Sequence, residues 1–512
     1  MSEPTRRVAV IDLGSNTAKM VAVEYEPSRR YRVIDQLREV VRLSEGMGHD
    51  LVLRADAMER ALATLTTFSD YCRAAGIDRV IASATSAVRD AVNGPAFVGR
   101  VALETGIELT TLSGEEEAAY GVLAVANSTR YEDAVVLDLG GGSVQLSLMR
   151  ERRSHAGRSW PFGAVRATER FLGQEPPKKK AIKALRDAVR DEVGPWLETQ
   201  HPLSDVPWVG MGGTLRNLAN AWQKHVQHPL DLLHEYELPR EALSHWAETL
   251  PDMDLSERAS VPGLNADRAD IVVAGAVVLD EIATLAGLRS ITMSGEGLRE
   301  GLVYPVVFEH EPGHLAPDVR TFSVLNLLRT YHERTGHPER VHALATSLFD
   351  ALAGELDLTP EDRELLAAAA LLHDIGMSVD YYGHHKHGAY LIGARPLAGF
   401  DHREQAIIAM VVKAHRKGKP SLNGYGSLLK DRDEALVRHL AGILRVAEQL
   451  DRSRAGRVVG TTVHVGETTV QIEVHSASDA NLEVQEAGAR AGLLAESLGK
   501  RVELVPVPTG DA

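Results

Sequence analysis

The sequence contains only one cysteine, Cys72, among 512 residues, so an internal disulfide bond is excluded. This usage is typical of proteins from a reducing compartment. A hydrophobic run of transmembrane length is also missing, and residues 1–7 are polar with no signal-peptide apolar segment behind them. We therefore expect a cytoplasmic protein that does not contact a membrane.

The sequence also lacks an excess of basic residues. Lys and Arg total 56, whereas Asp and Glu total 71, which gives a formal net charge of −15 at pH 7. Such a balance argues against a general binder of nucleic acids or membrane surfaces, so a polyanionic ligand would need a local basic lining. The length allows about three or four domains with cores of their own.

Neither of the two main glycine turns follows the Walker pattern or the Gly-x-Gly-x-x-Gly dinucleotide pattern. The central turn instead follows a β-branched run in which Asp138 precedes the three glycines 140–142. An alternating segment then resumes, so we predict strand, tight turn and strand. The N–H groups of such a turn can approach a phosphate, and Asp138 can hold a hard cation.

The same pattern occurs near the start of the chain. An apolar strand there delivers Asp12 to a turn that contains Gly14, Ser15 and Asn16, and a second strand follows. One such turn could be an ordinary glycine-rich hairpin, but the duplication indicates a long-period internal repeat. We therefore predict two lobes whose turns face each other, an arrangement that suits phosphoryl chemistry.

Two helix starts between these turns carry further candidate residues. Thr85 or Ser86 can cap a helix with Arg89 in its first turn, which would direct hydroxyls and a guanidinium at one anion. The alternative is a capped helix with a solvated arginine. Farther on, residues 113–116 form a capping box, and one of the three crowded acids at 115–117 is a candidate general base for a water molecule.

Residues 1 to about 305 resemble the exopolyphosphatase/guanosine-pentaphosphate phosphohydrolase (Ppx/GppA) family, a branch of the acetate and sugar kinase, heat-shock ATPase and actin superfamily. The motifs that carry this resemblance are 10–16, 84–89, 113–118, 138–143 and 295–301. The resemblance implies an α/β fold with two actin-like lobes, then an all-α HD-like domain and a small α/β domain. The corresponding boundaries are 1–125, 126–308, 309–455 and 456–512.

The resemblance also implies the roles of individual residues. Glu117 is the water-activating base, and Asp138 and Asp12 hold Mg²⁺, for which Mn²⁺ is an alternative. Many relatives carry a second acid where this chain has Gln145, and a neutral amide is a weaker ligand for a hard dication. The residues expected to bind phosphate are Ser15, Asn16, Thr85, Ser86, Arg89, Gly140, Gly141, Gly142 and Ser143.

The carboxy-terminal half contains a second candidate site. An alanine-rich helix ends at His373 and Asp374. Together with the upstream His342 and the downstream Asp451, these residues follow the ligand order of the HD phosphohydrolase superfamily, which implies a second, transition metal. The alternative is an HD fold that binds no metal.

A scattered set of basic residues could line a track for a polyanion, although exposed basic loops would give the same pattern. These residues are Arg166, Lys413, Arg416 and Lys417.

The leading hypothesis is a Mg²⁺-dependent exopolyphosphatase that processively removes terminal orthophosphate from inorganic polyphosphate by water attack. Hydrolysis of guanosine pentaphosphate (pppGpp) in the same cleft is the nearest alternative. A non-catalytic sensor of polyphosphate or nucleotide and an HD-domain phosphohydrolase are the other two. The resemblance also implies a homodimer, and we expect no nucleic-acid partner.

Overall fold

A computed structural model describes residues 5–508 except 48–49, 174–175, 201–202, 204, 332–335 and 421–423. The chain forms two compact units. The first comprises the chain up to His228 together with Leu233–Val319, and the second comprises Pro229–Leu232 and the chain from Arg320 onwards. In the described part of the chain, no helix is both long enough and apolar enough to cross a membrane.

Two sheets form the centre of the first unit. Their strands are Arg6–Leu13 (β1), Thr17–Glu26 (β2), Arg30–Val40 (β3), Arg79–Ala84 (β4), Leu109–Thr111 (β5), Ala134–Leu139 (β6), Val144–Arg150 (β7), Arg153–Trp160 (β8), Trp208–Met211 (β9), Glu237–Pro239 (β10) and Ser290–Met293 (β11).

Helices connect and cover these strands. They are Ala55–Ala74 (α1), Ser86–Asp90 (α2), Gly94–Thr105 (α3), Gly114–Ser128 (α4), Ala164–Ala167 (α5), Lys179–Thr199 (α6), Gly213–His225 (α7), Arg240–Thr249 (α8), Leu255–Ala259 (α9), Val272–Leu285 (α10) and Leu298–Val307 (α11).

The second unit is mainly helical and ends in a small sheet. Its elements are Val319–Tyr331 (α12), His337–Leu352 (α13), Pro360–Leu372 (α14), His384–Ala394 (α15), His402–Ala414 (α16), Asp433–Gln449 (α17), Val458–Val465 (β12), Thr469–Ser476 (β13), Asn481–Arg490 (α18), Gly492–Leu498 (α19) and Arg501–Pro508 (β14).

The two large sheets repeat one topology. The first has the order β3-β2-β1-β4-β5, and the second has the order β10-β11-β9-β6-β7-β8. Read from its β8 edge, the second sheet gives the same sequence of strands and adds β10. In each sheet the strand that delivers the aspartate is antiparallel to the next strand along the chain and parallel to a later one. The predicted α/β fold with two actin-like lobes is confirmed.

Helix α4 belongs structurally with the second sheet, although most of its residues fall in the segment 1–125 predicted as the first lobe. Its buried Val122 and Val125 cluster with Val136 of β6 and Val209 of β9. Helix α2 instead packs in the core of the first sheet through Ala87. Consequently, α2 and α4 bring their side chains to the cleft from different lobes.

The second unit has one hydrophobic core, to which residues on both sides of the expected boundary at 455 contribute. Leu348 of α13, Ile408 of α16 and Leu440 of α17 share this core with Val470 and Val474 of β13. The three-stranded sheet packs its buried side chains against these helices, so strands and helices form one core.

The first compact unit also extends beyond the predicted boundary at residue 308. Asn127 on α4 binds the segment that follows: its Nδ2 donates to the carbonyl oxygen of His314 at 2.9 Å, and its Oδ1 accepts from the N–H of Ala316 at 2.7 Å. These hydrogen bonds hold the residues after 308 to the first unit.

Candidate active site

The two glycine turns lie against each other in the first unit. A Cβ atom placed on Gly142 would lie 2.5 Å from Ser86 Oγ and 2.9 Å from Ser15 Oγ, so a side chain there would displace these hydroxyls. Ser15 Oγ and Ser86 Oγ are 3.0 Å apart and share a hydrogen bond. The structure thus brings together three segments that the sequence predicts as phosphate-binding.

Donor groups without a partner are concentrated at this contact. Among the described residues, the backbone N–H groups of Ser15, Asn16, Gly141 and Gly142 donate no hydrogen bond. The side-chain Nδ2 of Asn16 is buried and likewise has no partner there. Such groups are normally paired in folded proteins, so a cluster of unpaired donors suits an oxyanion such as phosphate.

Glu117 enters the cleft from the first turn of α4. Its neighbour Glu116 is used by the capping box, since its Oε2 accepts from the N–H of Ser113 at 2.8 Å and its N–H donates to Ser113 Oγ at 3.1 Å. Glu117 Oε2 instead accepts from Arg89 Nη1 at 2.9 Å, and the side chain is 12% exposed. Burial raises the pKa of Glu117 to about 7, against the opposing effect of Arg89. A carboxylate with this pKa can exchange a proton near neutral pH.

Asp12 and Asp138 lie at equivalent positions near the ends of β1 and β6. Burial raises the pKa of both carboxyl groups, and the charge of Asp12 raises that of Asp138 further. The same two aspartates contribute to the raised pKa of Glu117, so the three carboxylates form one site. Gln145 is paired opposite Asp138 in the β6–β7 ladder, and its buried Nε2 has no partner among the described residues.

Several cations that the sequence analysis did not identify surround these carboxylates. Lys19 is paired opposite Asp12 in the β1–β2 ladder, and burial together with Arg216 lowers its pKa to about 8. The charges of Arg216 and Arg299 lower the pKa of Asp138 and Asp12, respectively. The site is therefore cationic as well as acidic, within a protein of negative net charge.

Two of these cations had a recognisable signal in the sequence. The tight turn after β1 sets the register of the hairpin, which places Lys19 opposite Asp12. Arg216 lies in the first turn of α7, directly after a further glycine-rich loop at residues 210–213. The proximity of Arg299 to Asp12 depends on long-range packing, so no local pattern in the sequence indicates it.

The other residues predicted to bind phosphate or a polyanion lie in or beside the turns. Thr85 is buried at the N-cap position of α2, but its side chain makes no capping hydrogen bond, which differs from the prediction. The N–H of Gly140 donates to the carbonyl oxygen of Ser143 at 2.9 Å and closes the central turn. Arg166 Nη2 donates to Asp90 Oδ2 at 2.9 Å, beside the helix that carries Arg89.

Comparison with known families accounts for both compact units. Residues 22–310 match the Ppx/GppA phosphatase family, and residues 319–494 match the Ppx/GppA phosphatase domain III. The chain belongs to the Ppx/GppA phosphatase family. The family expected from the sequence motifs is therefore confirmed.

Solved structures of Ppx/GppA proteins have the same fold. The Ppx/GppA family member of Aquifex aeolicus is 26% identical with a TM-score of 0.52, and the match covers 60% of this chain and 100% of that one. Another structure of the Aquifex aeolicus enzyme is 28% identical with a TM-score of 0.50, covering 59% and 99%. An exopolyphosphatase from Cytophaga hutchinsonii is 24% identical with a TM-score of 0.55, covering 59% and 98%.

In the part of this Ppx/GppA phosphatase that matches domain III, the structure forms a buried cluster of metal-ligand residues. His337, His373 and Asp374 form one group, and Asp374, His384 and His415 form another. The ligand atoms within each group lie within 4.8 Å of one another. The predicted residues His373 and Asp374 are thus brought together.

The other two predicted members of this cluster are placed differently. His342 lies in neither group. His337 instead lies beside His373 and Asp374, where the sequence predicts His342. The two histidines are five positions apart on α13 and therefore about 140° apart around the helix axis, so they cannot face the same site. Asp451 is adjacent to the cluster, but it accepts a hydrogen bond from His337 Nδ1 at 2.8 Å.

The predicted polyanion residues are divided between the two units. Arg166 lies beside the cleft of the first unit, whereas Lys413, Arg416 and Lys417 lie at and just beyond the end of α16 in the second. Lys413 and Lys417 are exposed, and the guanidinium of Arg416 lies 6.0 Å from the ring centroid of Tyr381. A continuous track through all four residues remains a prediction.

Proposed function

We propose that this protein is a Mg²⁺-dependent exopolyphosphatase that releases terminal orthophosphate from inorganic polyphosphate. The observation that carries this proposal is the placement of Glu117. Its carboxylate is buried, is hydrogen bonded to Arg89 and has a pKa raised to about 7 in the vicinity of two further carboxylates. A general base of this acidity can activate water at the pH of a cell.

Asp12 and Asp138 fit a hard divalent cation. Two buried carboxylates that repel each other are stabilised by a bound ion, and Mg²⁺ prefers oxygen ligands of this type. When bound, Mg²⁺ would neutralise negative charge on the substrate's phosphoryl oxygens. Gln145 adds a neutral side chain beside Asp138, so the protein supplies two carboxylates and the substrate and water supply the rest.

The protein's own groups account for the other requirements of the reaction. Glu117 accepts a proton from the attacking water while the water oxygen forms a bond to the terminal phosphorus. The bond between that phosphorus and the bridging oxygen breaks, so orthophosphate is released and the shortened chain keeps the bridging oxygen. The N–H groups of Gly141 and Gly142 are suited to hold the phosphoryl oxygens in place during this transfer.

The distribution of charge favours polyphosphate among phosphate-bearing substrates. Lys19, Arg216 and Arg299 act on the same carboxylates, so positive charge extends through the cleft. A further arginine, Arg268, is buried beside the glycine loop at residues 210–213, where a Cβ atom on Gly213 would clash with its guanidinium. A substrate with one negative charge or more on every unit would interact with several of these cations at once.

The test is orthophosphate release by the full-length protein with Mg²⁺, on long-chain polyphosphate and on pppGpp at equal concentrations of terminal phosphate. We expect a preference for polyphosphate. Glu117→Gln should lower kcat by about 10²- to 10⁴-fold, the usual contribution of a general base. Glu116→Gln is the matched control, because Gln also completes a capping box, and it should retain nearly full activity.

Other outcomes would change the assignment. Preference for pppGpp would move the function to nucleotide hydrolysis in the same cleft, and retained activity in Glu117→Gln would refute the role of this base. Substrate binding without turnover in the wild-type protein would favour the sensor. The predicted homodimer and cytoplasmic location call for separate measurements, namely sedimentation of the purified protein and fractionation of cells.

A further inference from the structure

We propose that the helical unit holds a second metal centre with two divalent transition-metal ions that share the carboxylate of Asp374. One ion is bound by His337 and His373, and the other by His384 and His415. This centre differs from the single site that the sequence predicts, both in its ligands and in the number of ions. It is independent of the exopolyphosphatase reaction proposed for the first unit.

The first observation is that imidazole nitrogens from four elements converge on one carboxylate. His337 Nε2 and His373 Nε2 lie 3.8 and 3.6 Å from Asp374 Oδ2, and His384 Nε2 lies 3.3 Å from Asp374 Oδ1. His415 forms a group with His384 and Asp374, in which the three ligand atoms lie within 4.8 Å of one another. Oδ2 thus faces His337 and His373, whereas Oδ1 faces His384, whose Nε2 lies 3.2 Å from His415 Nε2, and this arrangement suits a carboxylate that bridges two ions.

The second observation fixes the protonation of the rings. In three of the histidines, Nδ1 lies 2.6–2.9 Å from a backbone carbonyl oxygen. A carbonyl oxygen can only accept, so Nδ1 carries the proton and the Nε2 atom of the neutral ring has a free lone pair. Metal-binding histidines are usually held in this way. The three pairs are His373 with Ala370, His384 with Tyr381, and His415 with Val412.

The third observation is that these lone pairs have no donor to accept from. The Nε2 atoms of His337 and His373 are buried and have no hydrogen-bond partner among the described residues. His384 Nε2 and His415 Nε2 are 3.2 Å apart, so two lone pairs point at each other. A divalent cation on each side of Asp374 would bind all four nitrogens and remove this repulsion.

Asp451 is hydrogen bonded to the His337 ring on the side away from Asp374. Its Oδ2 accepts from His337 Nδ1 at 2.8 Å and from Arg340 Nε at 2.9 Å, and its Oδ1 accepts from the N–H of Gly456 at 3.0 Å. Both oxygens are therefore occupied by donors. Asp451 is a positioning residue that orients the His337 ring toward the centre, rather than the ligand that the sequence predicts.

The ligand set indicates which ions would bind. Imidazole nitrogen suits Zn²⁺, Fe²⁺ and Co²⁺, whereas Mg²⁺ prefers oxygen ligands. Each ion would have two histidines and one carboxylate oxygen, which is one fewer than a closed tetrahedral site and leaves a position for water or another ligand.

The rim of the cluster carries arginine. Arg454 Nη2 donates to Asp374 Oδ2 at 2.5 Å from a side chain that is 44% exposed, and Arg340 Nη2 donates to the carbonyl oxygen of Arg454 at 2.9 Å. Because Arg454 binds the same oxygen as the first ion, the guanidinium and that ion compete for it. A guanidinium displaced from Asp374 would stay at the open side of the centre, where it suits an oxyanion such as phosphate.

The test is a Co²⁺ titration of the metal-free full-length protein, followed by its visible absorption, with excess Mg²⁺ present to fill sites of oxygen ligands. We expect about two Co²⁺ per chain with absorption typical of nitrogen-ligated Co²⁺. His373→Gln and His415→Gln should each lose one ion, and Asp374→Asn should weaken the binding of both. His342→Gln is the matched control on α13 and should bind Co²⁺ as the wild type does.

The Asp451→Asn variant and the number of Co²⁺ ions bound by the wild type test the arrangement further. Asp451→Asn should weaken the ion at His337 by about 10- to 100-fold and leave the other unchanged, because it disturbs only the orientation of one ring. A wild-type protein that takes up no nitrogen-ligated Co²⁺ would overturn the proposal, whether or not the variants fold. Uptake of a single ion that is lost equally in His373→Gln and His415→Gln would overturn the two-ion arrangement.

Discussion

The pKa of Glu117 results from two opposed effects on one side chain. Burial raises its pKa to about 7, whereas the hydrogen bond from Arg89 lowers it. The carboxylate is therefore ionised in a fraction of molecules that changes steeply around neutral pH. We expect kcat/KM for polyphosphate to rise with pH through this range, because only the ionised form accepts a proton from water.

Replacing Arg89 should move this dependence. The positive charge lowers the pKa of Glu117, so Arg89→Met removes a stabiliser of the ionised form and should shift the acidic limb of the pH–rate profile to higher pH. Arg89 is also a proposed phosphate ligand, so activity should fall at every pH, and the position of the limb is the informative measurement. Arg100→Met, at an exposed ion pair on α3, should leave the limb where it is. A limb that stays in place in Arg89→Met would contradict the proposed coupling.

Among the secondary-structure elements, the contact between the two glycine turns sets the geometry of the cleft. Gly142→Ala would place a methyl group 2.5 Å from Ser86 Oγ and 2.9 Å from Ser15 Oγ, closer than van der Waals contact allows. Ser15 and Ser86 must shift to accept it, so we expect kcat/KM to fall by at least about tenfold, since a displaced donor no longer meets the phosphoryl oxygen.

The control for this variant is Gly99→Ala on α3. A Cβ atom on Gly99 would meet no atom within 4 Å, and alanine is the better helix former. Gly99→Ala should retain activity and thermal stability. Equal activity of the two variants would show that the close contact at Gly142 has no part in the reaction.

The success of sequence analysis at this scale depends on how local each signal is. The two strand–Asp–glycine turns were predicted because strand, acid and turn lie within about a dozen consecutive residues. Arg299 was missed because its distance from Asp12 depends on how α11 packs in the completed unit. The division at residue 455 stays a prediction, since a strand pattern does not show whether a sheet shares its core with distant helices.

The spacing of apolar residues along α13 distinguishes His337 from His342. The buried residues Val341, Leu344 and Leu348 of α13 follow His337 at helical spacing. His337 thus lies on the apolar, inward face of the helix, and His342 lies off it. Attention to this periodicity, rather than to the order of histidines along the chain, would have identified the residue that reaches Asp374.

At the scale of the whole molecule, two compact units carry two different sets of ligands. Carboxylates and backbone donors dominate the first, and imidazoles dominate the second. If the proposed centre binds Zn²⁺, calorimetry of the full-length protein should show that Zn²⁺ raises the unfolding temperature of one transition only. An ion present at 100 times its Kd stabilises the state that binds it by about 2.7 kcal/mol.

Two variants assign that transition. Asp374→Asn should abolish the effect of Zn²⁺, and Asp138→Asn, in the first unit, should leave it intact. A Zn²⁺ shift that survives in Asp374→Asn would place the ion elsewhere in the chain. The measurement needs no enzymatic activity, so it is independent of whether the first unit hydrolyses polyphosphate.

The hydrogen bond between Arg89 and Glu117 joins a helix packed on the first sheet to a helix packed on the second. Its length consequently depends on the separation of the two lobes. When the lobes move apart, the arginine charge recedes, which raises the pKa of Glu117, but water also reaches the carboxylate, which lowers that pKa, and burial is the larger of the two effects. The raised pKa of Glu117 would therefore be a property of the closed cleft, and in an open molecule the carboxylate would be a weaker base.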